Sequence, residues 1–291
     1  MNDAMPNRHH ALEDDTLHIS GLLPAGAAGV DVGLTLAKIA RGTHDGVELL
    51  VRPTTDAPEH LRVLAQPDER ARAPFGVTGA RVEGIDSHHA ALRLQEIEAA
   101  ACGVRKLFEA ESRALPDQFV LALLGTGTAF ALVRGGSATH LGGTALGGGS
   151  FTGLARRIDS GIGYAEMVAA AERGERRNVD LMVSDAYPEG IGRIGPDLTA
   201  AHLARSSGSP DDVLAALLNL HGETIGQIAA SRARIAGASD VVFAGGFAHN
   251  NPLLVASMSA MIGMFGITAE ASPSPGFAGA IGAAWMAAQN A

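Results

Sequence analysis

Twice along this chain an apolar segment runs into a turn of glycine and threonine and returns as a second apolar segment. The first is GVDVGLTLAK, Gly29–Lys38, and the second is FVLALLGTGTAFALV, Phe119–Val133. Short apolar runs bounded by glycine read as buried strands, so each instance reads as a hairpin. GVELLVRP (Gly46–Pro53) extends the first hairpin into a β-meander. APEHLRVLA (Ala57–Ala65) has helical spacing, FGVTG (Phe75–Gly79) reads as a short buried strand, and ALRLQE (Ala91–Glu96) alternates as a strand does. An alanine-rich helix follows from Glu98 to Ala114. After the second hairpin, GGGSFTGLARRI leads from glycines into a helix. DLTAAHLA (Asp197–Ala204) reads as a helix with Asp197 as N-cap, and Pro210 to Ala236 as a long amphipathic helix. DVVFAGG (Asp240–Gly246) reads as a strand, and NNPLLVASMSAMI and FAGAIGAAWMAA as the last helices. The repetition predicts an α/β fold of two similar halves around a cleft. The expected boundaries are a loose arm over residues 1–24, one half over 25–118 and the other over 119–291.

The clustering of glycine says where a ligand would approach. The chain has 37 glycines in 291 residues, more than the roughly 7% of average usage. They concentrate at GTGT, GGTALGGGSFTG and AGGF, where backbone can come close to a ligand. Any one cluster taken alone is equally a set of tight turns. In the first hairpin Asp31 stands at a strand end, where a carboxylate can hold Mg²⁺ through water. Gly33 lets the backbone reach a phosphate oxygen, Thr35 offers a hydroxyl, and Lys38 adds charge or faces solvent. Gly125, Thr126, Gly127 and Thr128 supply a second such turn. Gly147, Gly148 and Gly149 precede a helix, where free N–H groups attract anions. Gly245, Gly246 and Phe247 suit an adenine or ribose contact, or simply cap the next helix.

Composition excludes several classes. The net charge of −9 does not suit a nucleic-acid partner. Cys102 is the one cysteine, which leaves no internal disulfide and no cysteine cluster within one chain. The start, MNDAMPNRHHALEDD, does not read as a signal peptide, and no apolar run reaches the roughly 20 residues of a membrane span. A soluble cytoplasmic protein acting on a small molecule is expected. The adjacent pairs His9-His10 and His88-His89 read as solvated.

Together these motifs resemble the type II pantothenate kinases, of the superfamily that includes acetate kinase, the sugar kinases, actin and the heat-shock ATPases. GVDVGLTLAK is similar to the family's first phosphate motif, GTGT to its second, and GGTALGGGSFTGLA to its long glycine-rich segment. DLMVSDAY, GPDLTAAHLA, GGFAHNNPLL and PGFAGAIGAA follow in family order. The resemblance runs from Gly29 to the end. It implies two ribonuclease-H-like halves, ATP and Mg²⁺ as cofactors, a homodimer formed through the long helix near 210–236, and phosphorylation of pantothenate. It also implies that Glu96, seven residues before Gly103 as in the family pattern, is the catalytic base, with Glu98 next to it in rank. By the same analogy His140, Gly142, Gly143 and Tyr187 face the acceptor, as does Tyr164.

Two positions depart from the pattern. Leu34 stands where the family has its second glycine; its side chain either crowds the phosphates or turns into the core. His140 stands where the family has an arginine contacting the acid substrate and the transferring group. Histidine lacks the arginine fork and is only partly charged at neutral pH. That leaves a kinase for another hydroxylated acceptor, or a silent nucleotide-binding homologue, as alternatives. A superfamily ATPase that activates a radical dehydratase is a further rival, but that type uses two cysteines per subunit.

Overall fold

A computed structural model describes residues 14–56, 73–82, 92–192 and 194–291. The helix expected at Ala57–Ala65 and both histidine pairs lie outside these residues. The first sheet contains β1 (Asp15–Leu17), β2 (Ala28–Val32), β3 (Leu36–Gly42), β4 (Val47–Pro53), β5 (Phe75–Thr78) and β6 (Leu92–Arg93), in the order β1-β4-β3-β2-β5-β6. The second contains β7 (Gln118–Leu124), β8 (Thr128–Arg134), β9 (Ser137–Thr144), β12 (Asp240–Ala244) and β13 (Thr268–Ala271), in the order β13-β12-β7-β8-β9. A separate small ribbon pairs β10 (Leu181–Met182) with β11 (Thr199–Ala201). Edge strand β1 apart, each sheet places its third strand beside its second, then the first, fourth and fifth. In both, the first three run antiparallel and the rest are parallel. The repeated hairpins are thus the opening of one topology used twice.

The helices are α1 (Glu96–Ala110), α2 (Gly148–Ile158), α3 (Tyr164–Arg173), α4 (Pro210–Ala236), α5 (Pro252–Gly263) and α6 (Ala278–Gln289). Period-two alternation divides the second sheet between two cores. Phe119, Leu121, Val133, Val242 and Ala244 pack with α1 and α6. Val120, Ala122, Leu124, Phe130, Val241 and Phe243 pack with the helices on the other face, α4 foremost. The α1–α6 pair lies between the sheets: α6 runs over β2 and β5, and α1 touches β9 and β7.

That middle layer is thin because its residues are small. A Cβ on Gly103 of α1 would stand 1.8 Å from the Ala278 carbonyl oxygen, and one on Gly282 of α6 would stand 1.8 Å from that of Ala99. On the sheet side, a Cβ on Gly29 would meet the Ala280 oxygen at 2.1 Å, and one on Gly76 the Ala283 oxygen at 2.1 Å. Four glycines therefore bring helix backbone against helix and strand backbone. Alternation along β2 places Asp31 on the same face as Gly29, toward α6, while Val30 and Val32 face a separate apolar cluster.

Several expectations are corrected. The loose arm over residues 1–24 does not extend to its end: Asp15–Leu17 pairs with β4, and Leu22 and Leu23 are buried. The last helix, α6, expected within the second half, packs on the first sheet. The strand at Ala91–Glu96 shrinks to Leu92–Arg93, and the helix after it begins at Glu96. Asp197–Ala204 is not a helix but contains β11. There the Arg176 guanidinium donates to Thr199 Oγ1 at 2.8 Å, the Leu203 amide donates to the fully buried Asp180 at 2.9 Å, and Glu223 accepts from Thr199 at 3.1 Å. These tertiary polar contacts override a weak local helix preference. β9, β13 and α3 had no expectation.

The glycine contacts fix the sign of two substitutions. Gly→Ala in a helix interior ordinarily stabilises by about 0.5–1 kcal/mol. Gly153→Ala in α2, where a Cβ meets nothing within 4 Å, should do so. Gly103→Ala should instead destabilise by about 1–3 kcal/mol or more through overpacking. Urea unfolding midpoints decide it; equal stability of both variants would refute the close α1–α6 contact.

Candidate active site

Asp31 is the last residue but one of β2, beside Thr78 of β5, its register partner. Its carboxylate rests against the first turn of α6: a Cβ on Gly279 would be 3.1 Å from Asp31 Oδ2. The positive end of a helix dipole favours an anion there. Lys38 Nζ lies 3.1 Å from Asp31 Oδ2, and both side chains are 13% exposed. Asp31 Oδ1 is buried with no hydrogen-bond partner among the described residues. A carboxylate with one oxygen to spare fits a divalent cation held through water. Lys38, left open between charge and solvent, is thus the partner of Asp31.

The turn itself is braced from outside. Gly33 donates its amide to the Leu36 carbonyl at 3.0 Å, while Thr54 Oγ1 donates to the Gly33 carbonyl at 2.8 Å and its amide to that of Thr35 at 3.1 Å. Nothing in the sequence singled out Thr54. Leu34 is 51% exposed, so the alternative that it turns into the core is corrected. Thr35 is also exposed.

Glu96 is the first residue of α1. Gly103 is two turns on along the same face, and that face is the one pressed against α6. The helix crossing therefore projects Glu96 toward the Asp31 end of β2. Glu96 as a whole is exposed, but its carboxyl is partly desolvated; that desolvation raises its pKa first, the charge of Asp31 adds to it, and Lys38 opposes. Glu96, Asp31 and Lys38 form one electrostatic cluster. Glu98, the second-ranked residue, is exposed on the same first turn.

The second turn holds its own shape. Gly125 donates to the Gly127 carbonyl at 2.8 Å, and Thr128 Oγ1 donates to that of Leu146 at 2.9 Å. No acceptor among the described residues takes the amides of Thr126 and Gly127. The glycines at 147–149 serve differently from expectation. Their amides are occupied: Gly147 donates to Ser150 Oγ at 3.0 Å, Gly148 to the Gly125 carbonyl at 2.9 Å and Gly149 to that of Thr126 at 3.0 Å. A Cβ on Gly147 would be 2.7 Å from the Thr126 oxygen. The segment has no side chains because it lies backbone-on-backbone against the turn, which it clamps.

Gly245 has φ +99° and a Cβ there would meet the Leu124 oxygen at 2.2 Å. Its amide donates to Pro275 at 2.7 Å, and the Phe247 amide to Leu124 at 3.0 Å. This turn thus joins the end of β7 to the approach of α6, and through Gly279 to Asp31. Phe247 is buried, 5.7 Å from the Phe151 ring and 6.5 Å from that of Tyr164. It is a core residue, so its expected adenine contact is corrected. Tyr164 is half-buried against the same cluster; desolvation raises its pKa, and its hydroxyl accepts from Asn251 at 3.4 Å.

On β9, Ala138 packs with the α1–α6 core. His140, two residues on, shares that strand face and is exposed. A bulge at Leu141 follows, and Gly142 has φ +98°. A Cβ on Gly143 would be 2.6 Å from the Thr128 oxygen. Strand geometry alone therefore demands both glycines. Tyr187 is 49% exposed just after β10, where its amide donates to the Val183 carbonyl at 2.8 Å. A cavity of about 570 Å³ beside α2, α3 and the start of α4 contains none of the candidate residues.

The Fumble family model matches residues 95–286. The type II pantothenate kinase of Oceanobacillus iheyensis is 30% identical over 260 residues, covering 88% of this chain and 97% of the relative. The chain belongs to the Fumble family, that of the type II pantothenate kinases. The Staphylococcus aureus type II pantothenate kinase is 28% identical over 265 residues, covering 89% of this chain and 98% of its own. Among solved structures, the ADPNP-bound activator of 2-hydroxyisocaproyl-CoA dehydratase from Clostridium difficile has a TM-score of 0.63 at 18% identity, covering 91% of this chain and 94% of its own. A ROK glucokinase from Streptomyces griseus, with glucose and AMPPNP, has a TM-score of 0.58 at 14% identity, covering 90% and 99%. These likenesses show the fold alone. Among the described residues no helix is long and apolar enough to cross a membrane.

The raised Glu96 pKa makes a signed prediction. A carboxyl that binds its proton more tightly folded than unfolded loses stability as pH rises past the unfolded value. Glu96→Gln removes that cost. Its melting temperature should exceed the parent's by more at about pH 8 than at about pH 4. An unchanged gap in differential scanning calorimetry would show that Glu96 is not held against ionisation.

Proposed function

We propose that this Fumble-family protein is an ATP-dependent pantothenate kinase, transferring the γ-phosphoryl group of ATP to the primary hydroxyl of pantothenate. The observation that carries the reading is the coupling of Glu96 to Asp31 and Lys38 where the middle helices meet the first phosphate turn. Glu96 orients the acceptor hydroxyl and takes its proton as the new P–O bond forms and ADP leaves. A raised pKa makes it a stronger base than an ordinary carboxylate. Lys38 and the amides of Thr126 and Gly127 stand opposite developing phosphate charge. Asp31 would hold Mg²⁺, which supplies neutralisation of the phosphate oxygens when bound. Gly245 and Gly246 border the nucleoside, and the exposed Leu34 packs near the phosphates.

The acceptor's carboxylate meets an imidazole, because His140 stands where the family has an arginine. A neutral or partly charged imidazole binds a carboxylate less firmly than a guanidinium fork. The homodimer and cytoplasmic location belong to the same reading. The long helix α4 carries Ile235, 80% exposed, which a partner subunit would cover.

ADP release from Mg-ATP, with and without pantothenate, tests the proposal. Pantothenate should stimulate turnover, Glu96→Gln should lose about 10²-fold or more, and His140→Arg should lower the KM for pantothenate. ATP binding without stimulation by pantothenate would turn the assignment to another hydroxylated acceptor or a silent homologue.

A further inference from the structure

His221 of α4 is completely buried on the face of the second sheet away from Glu96, with no role in the chemistry above. Its Nδ1 lies 2.8 Å from the Leu217 carbonyl oxygen. A carbonyl only accepts, so Nδ1 carries the proton, and Nε2 of the neutral ring is an acceptor. Ser150 Oγ lies 2.8 Å from Nε2. The serine proton has a second possible acceptor, the Gly147 carbonyl at 3.0 Å, but the shorter contact is to a ring nitrogen that needs a donor. With its proton directed to His221, Ser150 Oγ accepts the Gly147 amide at 3.0 Å. Phe151 and Phe247 stand edge-on to the imidazole at 5.8 and 5.9 Å, which excludes water and fixes the ring. Burial lowers the His221 pKa, which favours the neutral ring.

The relay ends at the nucleotide turn. Gly147 rests on Thr126 and Gly127, while Gly148 and Gly149 donate to Gly125 and Thr126. We infer that His221 and Ser150 are a positioning pair, holding Gly147–Gly149 against Gly125–Gly127 so that the second phosphate turn keeps its nucleotide-binding shape. The inference rests on ATP being the nucleotide, as proposed above. Neither residue touches ATP; each acts through the glycine segment. Losing one neutral hydrogen bond in such a relay corresponds to about a five- to tenfold weakening.

The test is Mg-ATP binding by calorimetry on the full chain, with KM values for ATP and for pantothenate. Ser150→Ala should raise Kd and KM for ATP about five- to tenfold, leaving the KM for pantothenate in place. Ser150→Thr, which keeps the hydroxyl, should bind ATP like the parent, and Ser150→Val, of the same shape without it, should resemble Ser150→Ala. The threonine–valine pair decides the matter should alanine prevent folding. Equal ATP affinity for Thr and Val variants, or a loss falling equally on both substrates, overturns the inference. A parent that binds ATP but ignores pantothenate refutes the assigned reaction alone, since the binding arm still decides the role of Ser150. A parent that binds no nucleotide refutes both.

Discussion

The contact between α1 and α6, made backbone to backbone through Gly103 and Gly282, is what the site depends on. A helix crossing with larger residues would separate the axes by the width of those side chains. Here the Ala99 and Ala278 carbonyls take the space a Cβ would fill. The same helix α6 lies on Gly29 and Gly76 of the first sheet with equal closeness. One thin layer thus ties α1 to β2, and so Glu96 to Asp31, within a shared electrostatic field. The family spacing from Glu96 to Gly103 has a mechanical meaning: the glycine fixes the helix that presents the carboxylate two turns earlier.

That arrangement sets stability against chemistry. Partial desolvation of its carboxyl disfavours ionised Glu96, and the like charge of Asp31 adds to that. Lys38 offsets part of this by its ion pair with Asp31. A protein selected for stability alone would not bring two carboxylates to one helix junction. Such an arrangement is expected where a proton must be accepted at neutral pH.

The architecture was legible because its cause is local. Apolar segments bounded by glycine and threonine determined the hairpins, and their repetition implied the duplicated halves. The Asp31–Thr35 and Gly125–Thr128 turns fall where those hairpins turn. What escaped the sequence depends on contacts between distant residues. Thr199 is drawn into a strand by Arg176 and Glu223, against its local pattern. The amides of Gly147–Gly149 looked free from their place before a helix, yet the carbonyls that take two of them belong to the other turn, and a serine takes the third. Phe247 follows two glycines at a turn that suited a nucleoside contact, yet its ring turns into a cluster with Phe151, Tyr164 and His221 that no spacing announces.

Glycine therefore has no single meaning in this chain. Gly103, Gly282, Gly29 and Gly76 permit helix approach; Gly147 and Gly149 permit one loop to clamp another; Gly142 and Gly245 permit left-handed backbone. None of these uses requires a ligand, although together they build the frame around one. The residues that speak for chemistry are the polar ones the frame does not use: Asp31 with an unpartnered buried oxygen, Glu96 with a raised pKa, and the turn amides of Thr126 and Gly127. His140 belongs with neither group. It stands exposed on the α1 face of β9, unconstrained by packing, next to a bulge that already fixes Leu141 and Gly142. A position so free of structural demands is one where the side chain can change with the acceptor while the phosphate machinery stays the same.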